Sequence, residues 1–157
     1  MKIAVIGSGG WGTAISALLR RNGHAVTLWS WKKEESESIQ KYQENREFLP
    51  GILLPEGIQY TDDLAMAKDA ELVVIATPSK ALPKTVESLS SYLAPSVPIV
   101  NLTKGISDSL ERFSEVIKRL CPGHPVVTLC GPTHAEEVGR EIPTTIVAAC
   151  ENAAAAH

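Results

Sequence analysis

The sequence predicts an α/β chain built on a doubly wound Rossmann-type, mainly parallel sheet, and three observations carry that expectation. Short β-rich runs alternate with segments of helical period along the 157 residues. The apolar run Ile3-Ala4-Val5-Ile6 opens directly into the glycine turn Gly7-Ser8-Gly9-Gly10-Trp11-Gly12. Later apolar runs each end in residues that turn a chain, as at Thr77-Pro78-Ser79, Thr103-Lys104-Gly105 and Gly131-Pro132. Parallel neighbours need crossovers of a dozen residues or more, and the helical segments supply them.

Taken in order, residues 2–6 read as the first strand and residues 10–22 as the helix after the glycine turn. A second strand is expected at 25–31. The stretch 48–57 carries prolines and glycines that break regular structure, so it reads as an exposed loop near the site. Strands follow at 72–77 and 99–103, and the helix between them is expected at 79–92. Residues 107–120 place Leu110, Phe113, Val116, Ile117 and Leu120 on one helical face. A strand at 126–130 leads through a glycine-proline turn into a short helix, and 144–149 reads as the last strand. One compact domain is expected over residues 1–150, with 151–157 as the start of a linker and a low-complexity alanine run at 153–156.

Gly7, Gly9 and Gly12 match G-x-G-x-x-G in the setting that gives the motif meaning, after a strand and opening a helix. The first glycine permits the tight turn, the second lets a pyrophosphate approach the backbone, and the third lets helix pack on strand. Free N–H groups and partial positive charge at the helix N-terminus complete a dinucleotide site. A P-loop is excluded, because Gly12 is followed by Thr13-Ala14 rather than Lys-Ser/Thr. Trp11, inside the turn, is expected to line the cleft where nicotinamide and substrate meet. A NAD-selective strand would end in Asp or Glu about 20 residues past the fingerprint. Here the run is Trp29-Ser30-Trp31-Lys32-Lys33, without an acid, so Trp31 is expected to stack on adenine, Lys32 to meet a 2′-phosphate, and NADP to be tolerated beside NAD.

Ligands of such sheets bind beyond the carboxyl ends of the strands. Pro78 stops one strand there, against the cofactor. Lys104 stands at the mouth of another and is the leading candidate to contact an anionic or carbonyl-bearing substrate. At the third, the backbone of Gly131 and the Thr133 hydroxyl are placed to hold a substrate oxygen. His134 has no identified acid partner and reads as a poor acid-base candidate; Glu136 and Glu137 suit the first turn of a helix. His24, His124 and His157 read as loop or terminal residues.

Composition narrows the partners. Net charge is −3, from 15 Lys and Arg against 18 Asp and Glu, so no global positive field points to nucleic acid or an anionic membrane. The longest apolar runs are strand-sized, no membrane span is expected, and the reading is a soluble cytoplasmic chain. Three cysteines without metal-type spacing, Cys121, Cys130 and Cys150, read as reduced structural thiols, and no metal site is expected.

Together, Gly7-Ser8-Gly9-Gly10-Trp11-Gly12-Thr13-Ala14, Asn45 with Phe48-Leu49-Pro50, Thr77-Pro78-Ser79, Thr103-Lys104-Gly105-Ile106 and Gly131-Pro132-Thr133-His134-Ala135-Glu136-Glu137 closely resemble the bacterial-type NAD(P)-dependent glycerol-3-phosphate dehydrogenases, over residues 2 to about 149. The resemblance implies reversible hydride transfer between sn-glycerol 3-phosphate and NAD or NADP, giving dihydroxyacetone phosphate and serving phospholipid precursor synthesis. It implies cofactor contacts at Gly10, Trp11, Trp31, Lys104 and Ala135, and substrate contacts at Lys104, Gly131 and Thr133. A basic residue or histidine is common in that family where Trp31 stands, so Lys32 is expected to take over its role. Family members continue into a helical second domain that brings the catalytic lysine, so no catalytic base is expected in this chain, which reads as the cofactor-binding half; a homodimer is an option at full length. The alternatives are another two-domain NAD(P)-dependent hydroxy acid dehydrogenase and a non-enzymatic NAD(H)-sensing module.

Overall fold

The computed structural model describes residues 1–151, so the alanine run at 153–156, His157 and the expected linker beyond Glu151 lie outside the described residues. The chain begins with β1 (Lys2–Ile6), α1 (Gly10–Arg21), β2 (Ala25–Trp29) and α2 (Lys33–Tyr42). It continues through β3 (Gln59–Thr61), a 3-10 turn (Leu64–Asp69), β4 (Leu72–Ile75), α3 (Leu82–Ser90) and β5 (Ile99–Asn101). The last described elements are α4 (Phe113–Leu120), β6 (Val126–Cys130), α5 (Ala135–Gly139) and β7 (Val147–Ala149).

The strands form one seven-stranded sheet in the order β3-β2-β1-β4-β5-β6-β7. All neighbours are parallel except β6 and β7, which run antiparallel. The order reverses between β1 and β4, with Ile6 opposite both Trp29 of β2 and Ile75 of β4. Sequence alternation sends Ile3 and Val5 of β1 to one face with α1 and Ile39 of α2, and Ala4 and Ile6 to the other with α3 and α4. Each fully buried side chain of this size contributes roughly 1.5–3 kcal/mol, so β1, covered on both faces, is the anchor of the sheet.

The structure adds α2 and β3, which the sequence pattern does not announce, trims β4, β5 and β7, and departs from the sequence expectation in four other places. The stretch 48–57 is not simply exposed: Leu49, Ile52 and Leu54 are buried, while Phe48 and Leu53 face solvent. Proline and glycine prevent regular hydrogen bonding there but do not stop apolar side chains from packing. The helix expected from residue 107 begins at Phe113. Leu110 has φ +62° and is 79 % exposed, because residues 106–112 close a loop bridged between Ile106 and Arg112. The α4 amide at Arg112 then donates to Glu115, which starts the helix. Similarly, α3 begins only at Leu82, after a turn in which Ala81 donates to the Pro78 carbonyl. Finally, β2 stops at Trp29: the Ser30 amide makes the last rung to the Thr61 carbonyl of β3, and the Ser30 hydroxyl donates to the Glu35 carboxylate.

Candidate functional site

The glycine turn sits at the carboxyl end of β1, where the strand order reverses. Gly7 has φ +118°, and a Cβ there would lie 2.6 Å from the Ala76 carbonyl oxygen beyond β4. A Cβ on Gly10 would lie 2.5 Å from the Phe48 carbonyl oxygen, and one on Gly12 would strike the Gly7 carbonyl. These three glycines serve packing of the chain against itself. Gly9 differs, since a Cβ there would meet nothing within 4 Å and its φ of −63° suits any residue. The space it leaves adjoins the first turn of α1, whose leading amides have no acceptor within the helix. Such a space could take an anion, and a side chain at Gly9 would fill it.

Asn45 fixes the turn. Its amide donates to the Ser8 carbonyl at 2.7 Å and to Thr13 Oγ1 at 2.8 Å, while its own carbonyl accepts from the Phe48 amide at 3.1 Å. One buried side chain thus ties the glycine turn to the loop that follows α2.

Beside the turn lies a cleft of about 390 Å³, walled by Trp11, Thr77, Pro78, Lys104, Thr133 and Ala135. Lys104 Nζ donates to the Thr133 carbonyl at 3.0 Å and lies 5.8 Å from the centre of the Trp11 ring. The ends of β5 and β6 and the start of α1 therefore meet at one cation. Three polar atoms of this wall, Trp11 Nε1, Thr77 Oγ1 and Thr133 Oγ1, are buried without a protein partner. Buried polar groups are paired in nearly all native structures, so three orphans around one cleft fit a polar ligand. His134 lines the same cleft from an exposed position at the start of α5, and no acid is paired with it among the described residues.

At the end of β2 the fold provides what the linear sequence lacks there. Glu35, in the first turn of α2, folds back so that its Oε2 accepts from Ser30 Oγ at 2.7 Å and from Ser8 Oγ at 2.9 Å. Lys32 Nζ stands 3.9 Å from Glu35 Oε1 and 4.8 Å from the centre of the Trp31 ring. Trp31 itself is 69 % exposed, outside the cleft. The expectation of a strand end without an acid is corrected: the carboxylate arrives from a helix six residues past Trp29, a distance the linear spacing does not reveal.

The chain matches, over residues 2–156, the model of the family described as NAD-dependent glycerol-3-phosphate dehydrogenase N-terminus. It belongs to that family. It is 40 % identical over 156 residues to a glycerol-3-phosphate dehydrogenase [NAD(P)+] of Desulfitobacterium hafniense, covering 99 % of this chain and 44 % of the relative. The corresponding enzyme of Fusobacterium nucleatum is 45 % identical over 97 % of this chain and 47 % of its own length. The crystal structure of glycerol-3-phosphate dehydrogenase from Coxiella burnetii superposes with a TM-score of 0.91 at 28 % identity, covering 98 % of this chain and 47 % of that one. The chain thus spans about half the length of the relatives it matches.

Within this domain the sequence-named residues fall into four groups. Gly9, Gly10, Trp11, Pro78, Lys104, Thr133 and Ala135 line one cleft. Gly7 and Gly12 lie beneath it, where they let β1, β4 and α1 approach. Gly131 does not line the cleft; a Cβ there would lie 2.7 Å from the Thr145 carbonyl oxygen, so its lack of a side chain lets β6 meet the segment before β7. Trp31 and Lys32 form a separate exposed pair. Sequence reading overlooked Thr77 as a wall residue with an orphaned hydroxyl, and Glu35, whose signal was only a polar helix start. Among the described residues no cluster of His, Cys, Asp and Glu could hold a metal ion, and no helix is long and apolar enough to cross a membrane.

Proposed function

We propose that this chain is the dinucleotide-binding half of an NAD(P)-dependent glycerol-3-phosphate dehydrogenase, with residues 1–150 as that domain and a helical substrate domain completing the enzyme. The reaction interconverts sn-glycerol 3-phosphate and dihydroxyacetone phosphate, and its reductive direction serves phospholipid precursor synthesis in the cytoplasm. The observation that carries the proposal is the gathering of Lys104 and the residues of three orphaned polar atoms around one cleft, next to the open side of Gly9.

The nicotinamide, when bound, supplies the hydride that reaches the substrate carbonyl carbon, and a proton completes the secondary alcohol. The chain's own residues bind and orient. The α1 N-terminus and the backbone at Gly9 and Gly10 take the pyrophosphate. Pro78, Trp11 and Ala135 form the walls against which the ring end lies. The Lys104 cation stands where negative charge grows on the reacting oxygen, and is held by the Thr133 carbonyl and the Trp11 face. The Thr133 hydroxyl holds a further substrate oxygen, while Gly131 acts only through the packing of β6. The proton that completes the alcohol is expected from a lysine of the helical domain, whose pKa burial or neighbouring charge lowers towards neutrality.

Titration with NADH tests the cofactor half of the proposal, and steady-state NADH oxidation with dihydroxyacetone phosphate tests the substrate half in a chain extended to the relatives' length. Binding without turnover on dihydroxyacetone phosphate in the extended chain would send the site to a different hydroxy substrate.

A further inference from the structure

We infer that Glu35 selects the dinucleotide, favouring a free 2′-hydroxyl on the adenosine ribose over a 2′-phosphate; the inference rests on the cofactor site proposed above. In a doubly wound dinucleotide domain the adenosine ribose lies beyond the second strand, beside the glycine turn. The Glu35 carboxylate joins these two places physically. Its Oε2 is fixed by hydroxyls from both, Ser8 within the glycine turn and Ser30 directly after β2, and those hydroxyls are themselves 2.9 Å apart. Ser8 and Ser30 are buried, and the Glu35 side chain is only 16 % exposed, so this carboxylate is held in one place.

With Oε2 engaged, Oε1 is the oxygen left to accept. Among the described residues the one cation within 4 Å, Lys32, stands 3.9 Å away, outside hydrogen-bond reach, with half of its side chain in solvent, while Arg46 and Glu47 line the same small pocket. Ribose hydroxyls are donors and match that acceptor. A 2′-phosphate offers only acceptors and up to two negative charges, and it would meet a fixed carboxylate of the same sign. The lysines that the sequence offered as attraction for such a phosphate are each matched by an acid one turn along, Lys32 by Glu35 and Lys33 by Glu37. The expectation that NADP is tolerated rests on a strand end without a carboxylate and on attraction from Lys32, and in the fold Glu35 stands beside both.

Calorimetric titration of the chain with NADH and with NADPH decides. The wild type should bind NADH at least about threefold more tightly than NADPH, and Glu35→Gln, which keeps the shape and removes the charge, should shrink the ratio by more than about twofold, chiefly by tightening NADPH. Ser30→Ala, which frees the carboxylate, should shrink it as well. Circular dichroism checks that each variant is folded; if Glu35→Gln is not, the wild-type ratio and Ser30→Ala carry the test. A wild-type ratio below about threefold, or a ratio that both folded variants leave within about twofold of wild type, overturns the role of Glu35. Binding of neither dinucleotide would instead overturn the cofactor site itself.

Discussion

At the scale of single residues, three glycines of the opening turn answer to three different neighbours and the fourth, Gly9, to open space. Gly7 is held by backbone: Gly7→Ala would put a Cβ 2.6 Å from the Ala76 carbonyl at φ +118°. It should cost about 2 kcal/mol or more, read as a lowered urea midpoint. Gly9→Val has the opposite profile. With nothing within 4 Å, it should leave the melting temperature nearly unchanged and abolish calorimetric NADH binding. Retained affinity in the folded variant would remove the phosphate cradle from Gly9. The motif made the turn role of Gly7 legible, because its place between strand and helix follows from spacing alone. Tyr60 was not legible in this way. Its hydroxyl is buried in β3 without a partner, and burial pushes its pKa up to about 12. The folded chain holds the neutral phenol, so its contribution to stability is intact below the unfolded pKa of about 10 and is lost as pH rises through about 12. Ultraviolet titration should show one of the three tyrosines ionising last, and Tyr60→Phe should remove that phase without lowering stability at neutral pH.

At the scale of elements, legibility followed apolar period. The strands β1, β4 and β6 and the helix α1 announce themselves because they bury side chains at regular spacing. Helix α2 buries only Ser36 and Ile39, and β3 is three residues long, so neither writes a pattern that a period can detect. The Leu110 error has the same origin in reverse, since an apolar residue at helical spacing was drawn into a loop by the bridge at Ile106 and Arg112. The loop of residues 48–54 is set by Asn45, whose three hydrogen bonds join two segments distant in sequence. Asn45→Ala should leave the Phe48 amide and Ser8 carbonyl without that partner, and should destabilise the chain by about 2 kcal/mol. Dinucleotide affinity should fall with it, since the turn is no longer braced. Chemical denaturation and calorimetry measure the two effects, and a stable variant with full affinity would show that the loop docks by its leucines alone.

At the scale of the whole molecule, six of the seven strands are legible in the sequence, while the chain spans only about half the length of its relatives. The cleft is open on the side away from the sheet, and Lys104 is exposed there. Without closure over the substrate, the orientation and desolvation that can be worth roughly 7–11 kcal/mol are missing. The 157-residue chain should therefore bind NADH and show no dihydroxyacetone phosphate-dependent NADH oxidation. Turnover by this chain alone would place the proton-transferring group among residues 1–157. In a chain of the relatives' length, Lys104→Ala should lower kcat/KM by about 100-fold or more while leaving the circular dichroism spectrum unchanged. A wild-type rate would move the anionic stabilisation elsewhere.

The sheet's last strand has a consequence in time as well as in space. β7 runs against its neighbour, has a partner on one side, and exposes each of Val147, Ala148 and Ala149. β1, by contrast, is paired on both sides and carries four consecutive buried residues. Opening β7 therefore uncovers almost no apolar surface, while opening β1 requires dismantling both cores. Amide hydrogen exchange should spread accordingly, with β7 deuterated within seconds to minutes and β1 only through global unfolding. The outer edge beside Gly131 would then breathe while the floor beneath the glycine turn stays shut, so the sheet is loose at one margin and rigid at its centre.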